Sequence, residues 1–247
     1  MDKIIKITLG AFTVILIGFL AITAVNVYFE SAYVASLSGN YTYSATITTD
    51  SPLSNVTLFI PVPEDRSGNS PVVAALSGGT VSGIPDGWKL TLFDTGKTTV
   101  VKITASSIDP PTGTTREKPF SITMFANISS KNHIETINPV ENGVIFRPVQ
   151  NMKEASCASD STRLANSQQC YEYETSVYAD YLSSPNASVS ISSNLAGKNS
   201  WKIFEPRSNE YRVVMTVTIP GENHGWATAK GVLMTGIGMH DEPVIPS

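Results

Sequence analysis

An all-β ectodomain behind one membrane-spanning helix is the fold class the sequence predicts, and three observations predict it. Residues 7–29 contain no charged side chain. Beyond them, apolar and polar residues alternate with period two in segment after segment, while no stretch sustains a helical period. Finally, landmarks of the first half of the ectodomain recur in the same order in the second. The expected architecture is a β-sandwich of immunoglobulin-like type, built as two tandem related modules at residues 40–130 and 168–240.

The apolar run sets the topology. A helix over residues 7–29 is about 35 Å long, enough for a hydrocarbon core of about 30 Å. Lys3 and Lys6 precede it, and on its far side no basic residue occurs before Arg66. The positive-inside bias therefore makes residues 1–6 a cytoplasmic stub and places the rest outside the cell membrane. A cleaved signal peptide is the rival reading. Its apolar core normally spans about 7 to 15 residues, and the poor cleavage site at residues 22–24 lies inside the hydrophobic stretch, so a retained signal anchor is favoured. No cysteine lies near the run, which excludes a lipoprotein anchor. Ala11, Gly18, Ala21 and Asn26 fall near one face and leave homo-oligomerisation through the helix open. Tyr28, Phe29 and Tyr33 suit an interfacial aromatic belt.

Residues 30–39 read as a Ser/Gly tether. Tyr41, Tyr43, Ala45 and Ile47 then alternate with hydroxyl residues as a first strand, closed by a turn at Asp50-Ser51-Pro52. Val56, Leu58, Ile60 and Val62 form the next, followed by a Gly/Ser/Pro-rich surface loop. Trp88, Leu90 and Leu92 pair across Asp94-Thr95-Gly96 with Val101, Ile103 and Ala105 as a hairpin. Pro110-Pro111 breaks the chain before the alternation of Phe120, Ile122, Met124, Ala126 and Ile128. Residues 131–167 form a connector that contains one apolar segment, 144–149, and the start of a cysteine loop. The second series runs through Tyr171, Tyr173, Thr175 and Val177, then Val189 and Ile191, then Tyr211, Val213, Met215, Val217 and Ile219. A Gly-rich strand at 231–238 and a tail at 241–247 complete the chain.

The internal echo is specific. Tyr41-Thr42-Tyr43, Asp50 and Ser54-Asn55-Val56 are answered by Tyr171-Glu172-Tyr173, Asp180 and Pro185-Asn186-Ala187. Trp88-Lys89-Leu90 is answered by Trp201-Lys202-Ile203, and Val100-Val101 by Val213-Val214. A single sandwich built from two similar halves satisfies the same pattern as two modules.

Charge and motifs bound the function. The net charge is −4, and since Asp2 and Glu30 balance Lys3 and Lys6, the negative excess lies on the outer portion. Nucleic acid is not an expected partner. Cys157 and Cys170, in an oxidising compartment, are expected to form one disulfide. Four N-x-S/T sequons at Asn40, Asn55, Asn127 and Asn186 are candidate glycosylation sites, each on the strand face opposite the apolar set. His133, His224 and His240 show no ligand spacing, even with Asp241 and Glu242 in view, so no metal is expected. No catalytic or cofactor-binding motif is present, and no enzyme activity or cofactor is expected. An extracytoplasmic hydrolase is the alternative, through acidic residues such as Asp50, Asp180, Glu172 and Glu174 brought together in space. Tyr178 and Phe125 fall on the solvent face, where aromatic residues often anchor protein or glycan contacts.

The run "YTYSATITTDSPLSNVTLFIPVP" at residues 41–63, with "GWKLTLFDTG" at 87–96, resembles uncharacterised membrane-anchored cell-surface proteins of archaea, methanogens in particular. That resemblance implies the compartment and topology and transfers no catalytic residue. The expected role is structural, adhesive or partner-binding in the cell envelope: lipid contact through residues 7–29, a protein or glycan partner at the surface, or membership of a larger membrane complex.

Overall fold

The apolar run folds as one helix, α1 (Asp2–Ser36), in a computed structural model that describes residues 2–157 and 168–240. No part of its apolar window is buried against the protein, and it is long and apolar enough to cross a membrane, a property that anchors and signal sequences share. The hydroxyls of Thr8, Thr13 and Thr23 donate to the carbonyls of Ile4, Leu9 and Phe19, which satisfies them within the helix.

The expected tether at 30–39 is not a linker. α1 continues to Ser36 and strand β1 (Ser38–Thr49) begins one residue after Leu37. Apolar contacts hold this junction: Tyr33 is fully buried with its ring edge-on to Trp201 at 5.7 Å, and Phe29 meets Phe204 at 5.4 Å. The Ser36 hydroxyl donates to Ala32 O and accepts the Lys202 N–H at 3.0 Å. Small residues suggested flexibility, but two aromatic side chains supply enough contact to carry the helix to the sheet.

The remaining elements are β2 (Leu53–Pro61), β3 (Pro63–Glu64), α2 (Pro71–Ser77), β4 (Lys89–Asp94), β5 (Thr99–Ile108), β6 (Phe120–Ser130), α3 (Pro139–Asn142), β7 (Ile145–Phe146), β8 (Gln150–Ala155), β9 (Gln169–Leu182), β10 (Ser188–Lys202), β11 (Pro206–Pro220) and β12 (Asn223–Gly238). Ten strands form one antiparallel sheet in the order β4-β5-β2-β9-β12-β11-β10-β1-β6, with β8 added to β9, while β3 and β7 pair separately. The expected separation into modules 40–130 and 168–240 is therefore not reflected in the pairing. β9 of the second half lies beside β2 of the first, and β10 beside β1.

The internal echo appears instead as a repeated register. β1 and β2 follow one another in the chain without pairing, β9 and β10 likewise, and the two sets pair with each other instead, β1 with β10 and β2 with β9. Thr49 faces Val189 and Thr48 faces Ser190; in the other pair Ala179 faces Leu58 and Tyr178 faces Phe59. Asp50 stands against Ser188 through backbone and side-chain hydrogen bonds, as Asp180 stands against Thr57. Continuing outward, β2 pairs β5 as β10 pairs β11, and β1 pairs β6 as β9 pairs β12. The two halves are thus related by an approximate twofold, with the first two strands of each pairing with those of the other.

The sheet curls so that a single hydrophobic cluster draws side chains from β1, β2, β5, β6 and β9 to β12. Long, twisted strands coil in this way and bury their own concave face. Inside, glycine makes room for tyrosine: Gly231 faces Tyr173 and Gly197 faces Tyr211, and a Cβ at either glycine would meet the facing ring at 2.3 Å.

β11 pairs with β12, but the corresponding β5 and β6 do not pair. The segment expected as a surface loop fills that seam. It contains α2, capped by Ser70, whose hydroxyl accepts the Val73 N–H. Val72 and Ala75 of α2 enter the core, and Ser82 exchanges backbone hydrogen bonds with Phe125 of β6. Seven residues are too few to show a helical period. The apolar segment at 144–149 contributes only the two-residue strand β7, which pairs with β3, while Val144, Ile145 and Phe146 are buried.

Candidate functional site

Side chains on the outer face of β4, β5, β2, β9 and β12 make the most distinctive constellation among the described residues. Cross-strand register places Lys102, Phe59, Tyr178 and Trp226 in one row. Phe93 leans in from β4. Ring centroids are 6.2 Å apart for Phe93 and Phe59, 5.3 Å for Phe59 and Tyr178, and 5.5 Å for Tyr178 and Trp226, all edge-to-face. The Lys102 ammonium lies 5.6 Å from the Phe59 ring centre. Each ring pair is worth about 0.5–1.5 kcal/mol beyond burial, so the row is held in place, yet Phe93 remains 52 % and Trp226 63 % exposed.

A polar row runs alongside. Two residues further along each strand, Thr104, Thr57, Asp180 and His224 face one another. His224 Nδ1 lies 2.7 Å from Asp180 Oδ1. On the other side of the rings, a cavity of about 300 Å³ is lined by Pro61, Thr95, Thr98, Pro148, Ser176 and Trp226. At a strand spacing of about 4.8 Å, the five strands from β4 to β12 give the face a width of about 19 Å.

The sequence placed Tyr178 correctly on this face and missed its neighbours. Phe59 and Phe93 break the parity of the apolar sets around them, Leu58/Ile60 and Leu90/Leu92, and that mismatch was the available signal. Trp226 opens β12 in a stretch too rich in polar residues and glycine for its register to be read. Phe125, 42 % exposed, stands apart on β6 next to Ser82.

The other candidates are distributed. Cys157 and Cys170 form a disulfide, with Cα atoms 5.3 Å apart, that fastens the β8 end to the start of β9; the intervening 158–167 lie outside the described residues. Asn55, in left-handed backbone at a bulge in β2, and Asn186, in the turn before β10, are exposed. Asn40 and Asn127 lie on the outer face of β1 and β6, where their side-chain amides hydrogen-bond to each other. Asp180 and Asp50 do not share a site. Asp50 sits at the β1–β2 turn, where burial pushes its carboxyl up but the Ser188 N–H, the Ser51 hydroxyl and Arg116 outweigh this and hold it below the ordinary range. Glu174 bonds Asn151, and Glu172 pairs with Lys153. His133 meets Asn199, while Asp241 and Glu242 lie outside the described residues. Among the described residues no group of three His, Cys, Asp or Glu could hold a metal ion. Asp86 and Asp109 line a seam cavity of about 370 Å³ with Trp88 and Phe120, without a histidine or cysteine.

Interior hydroxyls offer no acid–base group near neutrality; burial pushes the Tyr43 phenol up to about 12. No family model matches the chain, and neither a curated protein nor a solved structure is similar to it.

Proposed function

We propose that this is a membrane-anchored extracytoplasmic recognition protein whose aromatic row binds a saccharide chain of the cell envelope. One observation carries the reading: an exposed row of aromatic rings runs beside a parallel row of hydroxyl, carboxylate and imidazole groups. Pyranose rings present polarised C–H bonds on their faces and hydroxyls at their rims. The negative faces of aromatic rings attract the former, while Thr57, Asp180 and His224 offer hydrogen-bonding partners to the latter. A face about 19 Å wide suits several sugar units rather than one.

The anchor part of the proposal keeps residues 7–29 in the membrane with the N-terminus inside. The sequons agree with an outward ectodomain, since all four asparagines are accessible at least in part. The test is titration of the full chain, in nanodiscs, with a panel of defined oligosaccharides followed by isothermal titration calorimetry. Saturable binding abolished by Trp226→Ser supports the proposal. A panel without binders, together with photocrosslinks from position 226 that capture only protein, would replace it with a protein-docking face.

A further inference from the structure

A second polar site lies where the helix meets the sheet, and nothing in the saccharide reading uses it. A cavity of about 340 Å³ is lined by Ser36, Lys198, Ser200, Trp201, Lys202 and Arg207, among others. Lys198, Lys202 and Arg207 are exposed, and none of them forms an ion pair among the described residues. Trp201 is only 2 % exposed and packs on Tyr33 beneath the cavity, which fixes the strand that carries Lys198 and Lys202. Three unpaired cations around one cavity call for an anion.

Position identifies which anion. Below the cavity, Phe204 at the tip of the β10–β11 hairpin is 75 % exposed and packs against Phe29 at the end of the apolar run. From Phe29 to Ser36 the helix climbs about 10 Å, against a headgroup layer about 5–7 Å thick on each side of the core. Long Lys and Arg side chains bridge such a difference. Moving outward along α1, the surface changes from aliphatic to aromatic to cationic, the order of a bilayer's own cross-section. Glu205 shares the hairpin tip but does not line the cavity.

We propose that this junction cavity binds the phosphate of an anionic lipid headgroup in the leaflet from which α1 emerges. The proposal rests on the anchor part of the functional reading and is independent of the aromatic row. With the headgroup bound, α1, the hairpin tip and the lipid form a three-point contact that fixes the tilt of the sheet over the membrane.

The test reconstitutes the full chain into vesicles of equimolar phosphatidylcholine and phosphatidylglycerol, extracts it in mild detergent and identifies retained lipid by native mass spectrometry. One phosphatidylglycerol per chain is expected, preferred over phosphatidylcholine by at least about tenfold. Replacing Lys198, Lys202 and Arg207 together by Ser should erase the preference, and exchanging Lys for Arg and Arg for Lys at the same positions should restore it; circular dichroism checks folding. Equal retention of both lipids by the wild type, or an unchanged preference in the serine variant, overturns the site. Binding of soluble glycerol phosphate as tight as that of the lipid, and lost in the same variant, overturns the lipid assignment. The same spectra report intact mass: a mature chain cleaved within residues 1–36 overturns the anchor, whereas an intact chain without lipid preference overturns only this site.

Discussion

Two rows of side chains occupy corresponding positions on the two halves of the sheet, and they could hardly differ more. On β5, β2, β9 and β12 the row reads Lys102, Phe59, Tyr178, Trp226; on β11, β10, β1 and β6 it reads Thr218, Ser190, Thr48, Ser121. The second row satisfies itself, with Thr48 and Ser121 hydroxyls 3.0 Å apart and the Thr218 hydroxyl donating to Ser190. Backbone, register and core are shared, so nothing in the fold requires aromatic rings on that surface. A solvated sheet face is adequately made from Ser and Thr. The exposed rings are therefore the feature on which the proposed saccharide binding rests.

Four experiments would break or sharpen this comparison. The largest effect is expected on binding: Trp226→Ser, which writes the hydroxyl row's residue into the aromatic row, should weaken saccharide binding about thirtyfold or more. Ser121→Ala in the other row should leave it unchanged in the same titration. Next, the aromatic half alone carries a staple, on β9, the strand that bears Tyr178. Cys157→Ser with Cys170→Ser should cost about 3 kcal/mol on chain-entropy grounds, measured by urea unfolding with and without reductant. A smaller loss, about 1–3 kcal/mol, is expected for Gly231→Val, because the added side chain collides with the Tyr173 ring; thermal unfolding reports it, and the corresponding Gly197→Val, against Tyr211, should lose a similar amount if the halves are equivalent.

The smallest effect separates the two corresponding aspartates. Asp50 has its folded pKa held below the unfolded value, so its contribution is present above the unfolded pKa of about 3.9 and is lost as pH falls through the lower folded value. Asp50→Asn should lower the urea midpoint at neutral pH and flatten the acid side of the stability profile. Asp180→Asn, on the outer face with His224, should act on binding instead.

Which residues face the core was legible from local pattern. Tyr43, Ala45 and Ile47, or Val213, Met215 and Val217, alternate in the chain and are buried, since a strand's side chains must alternate faces whatever it pairs with. The candidate face was legible only as Tyr178, because its other members come from strands distant in sequence. The echo of Tyr-x-Tyr, Asp and Asn was real as register, but its arrangement was not legible: two modules in tandem and two halves whose leading strands pair with each other produce the same order of landmarks. Likewise Tyr33 and Trp201 fit an interfacial belt and a strand end when read singly, and only together do they fasten the helix to the sheet.

By itself, then, the sequence determined a helix long enough to cross a bilayer, the inward and outward parity of the strands, the pairing of its only two cysteines and the presence of a repeat. All of these follow from periodicity, length or residue count, which are local or additive properties. The tertiary structure alone decided which strands are neighbours. It thereby gathered Phe59, Tyr178 and Trp226 into one row and set three cations around Trp201 at the foot of the sheet. Strand pairing depends on register between distant segments, and many partners satisfy the same alternation until the whole sheet curls and one arrangement buries its face.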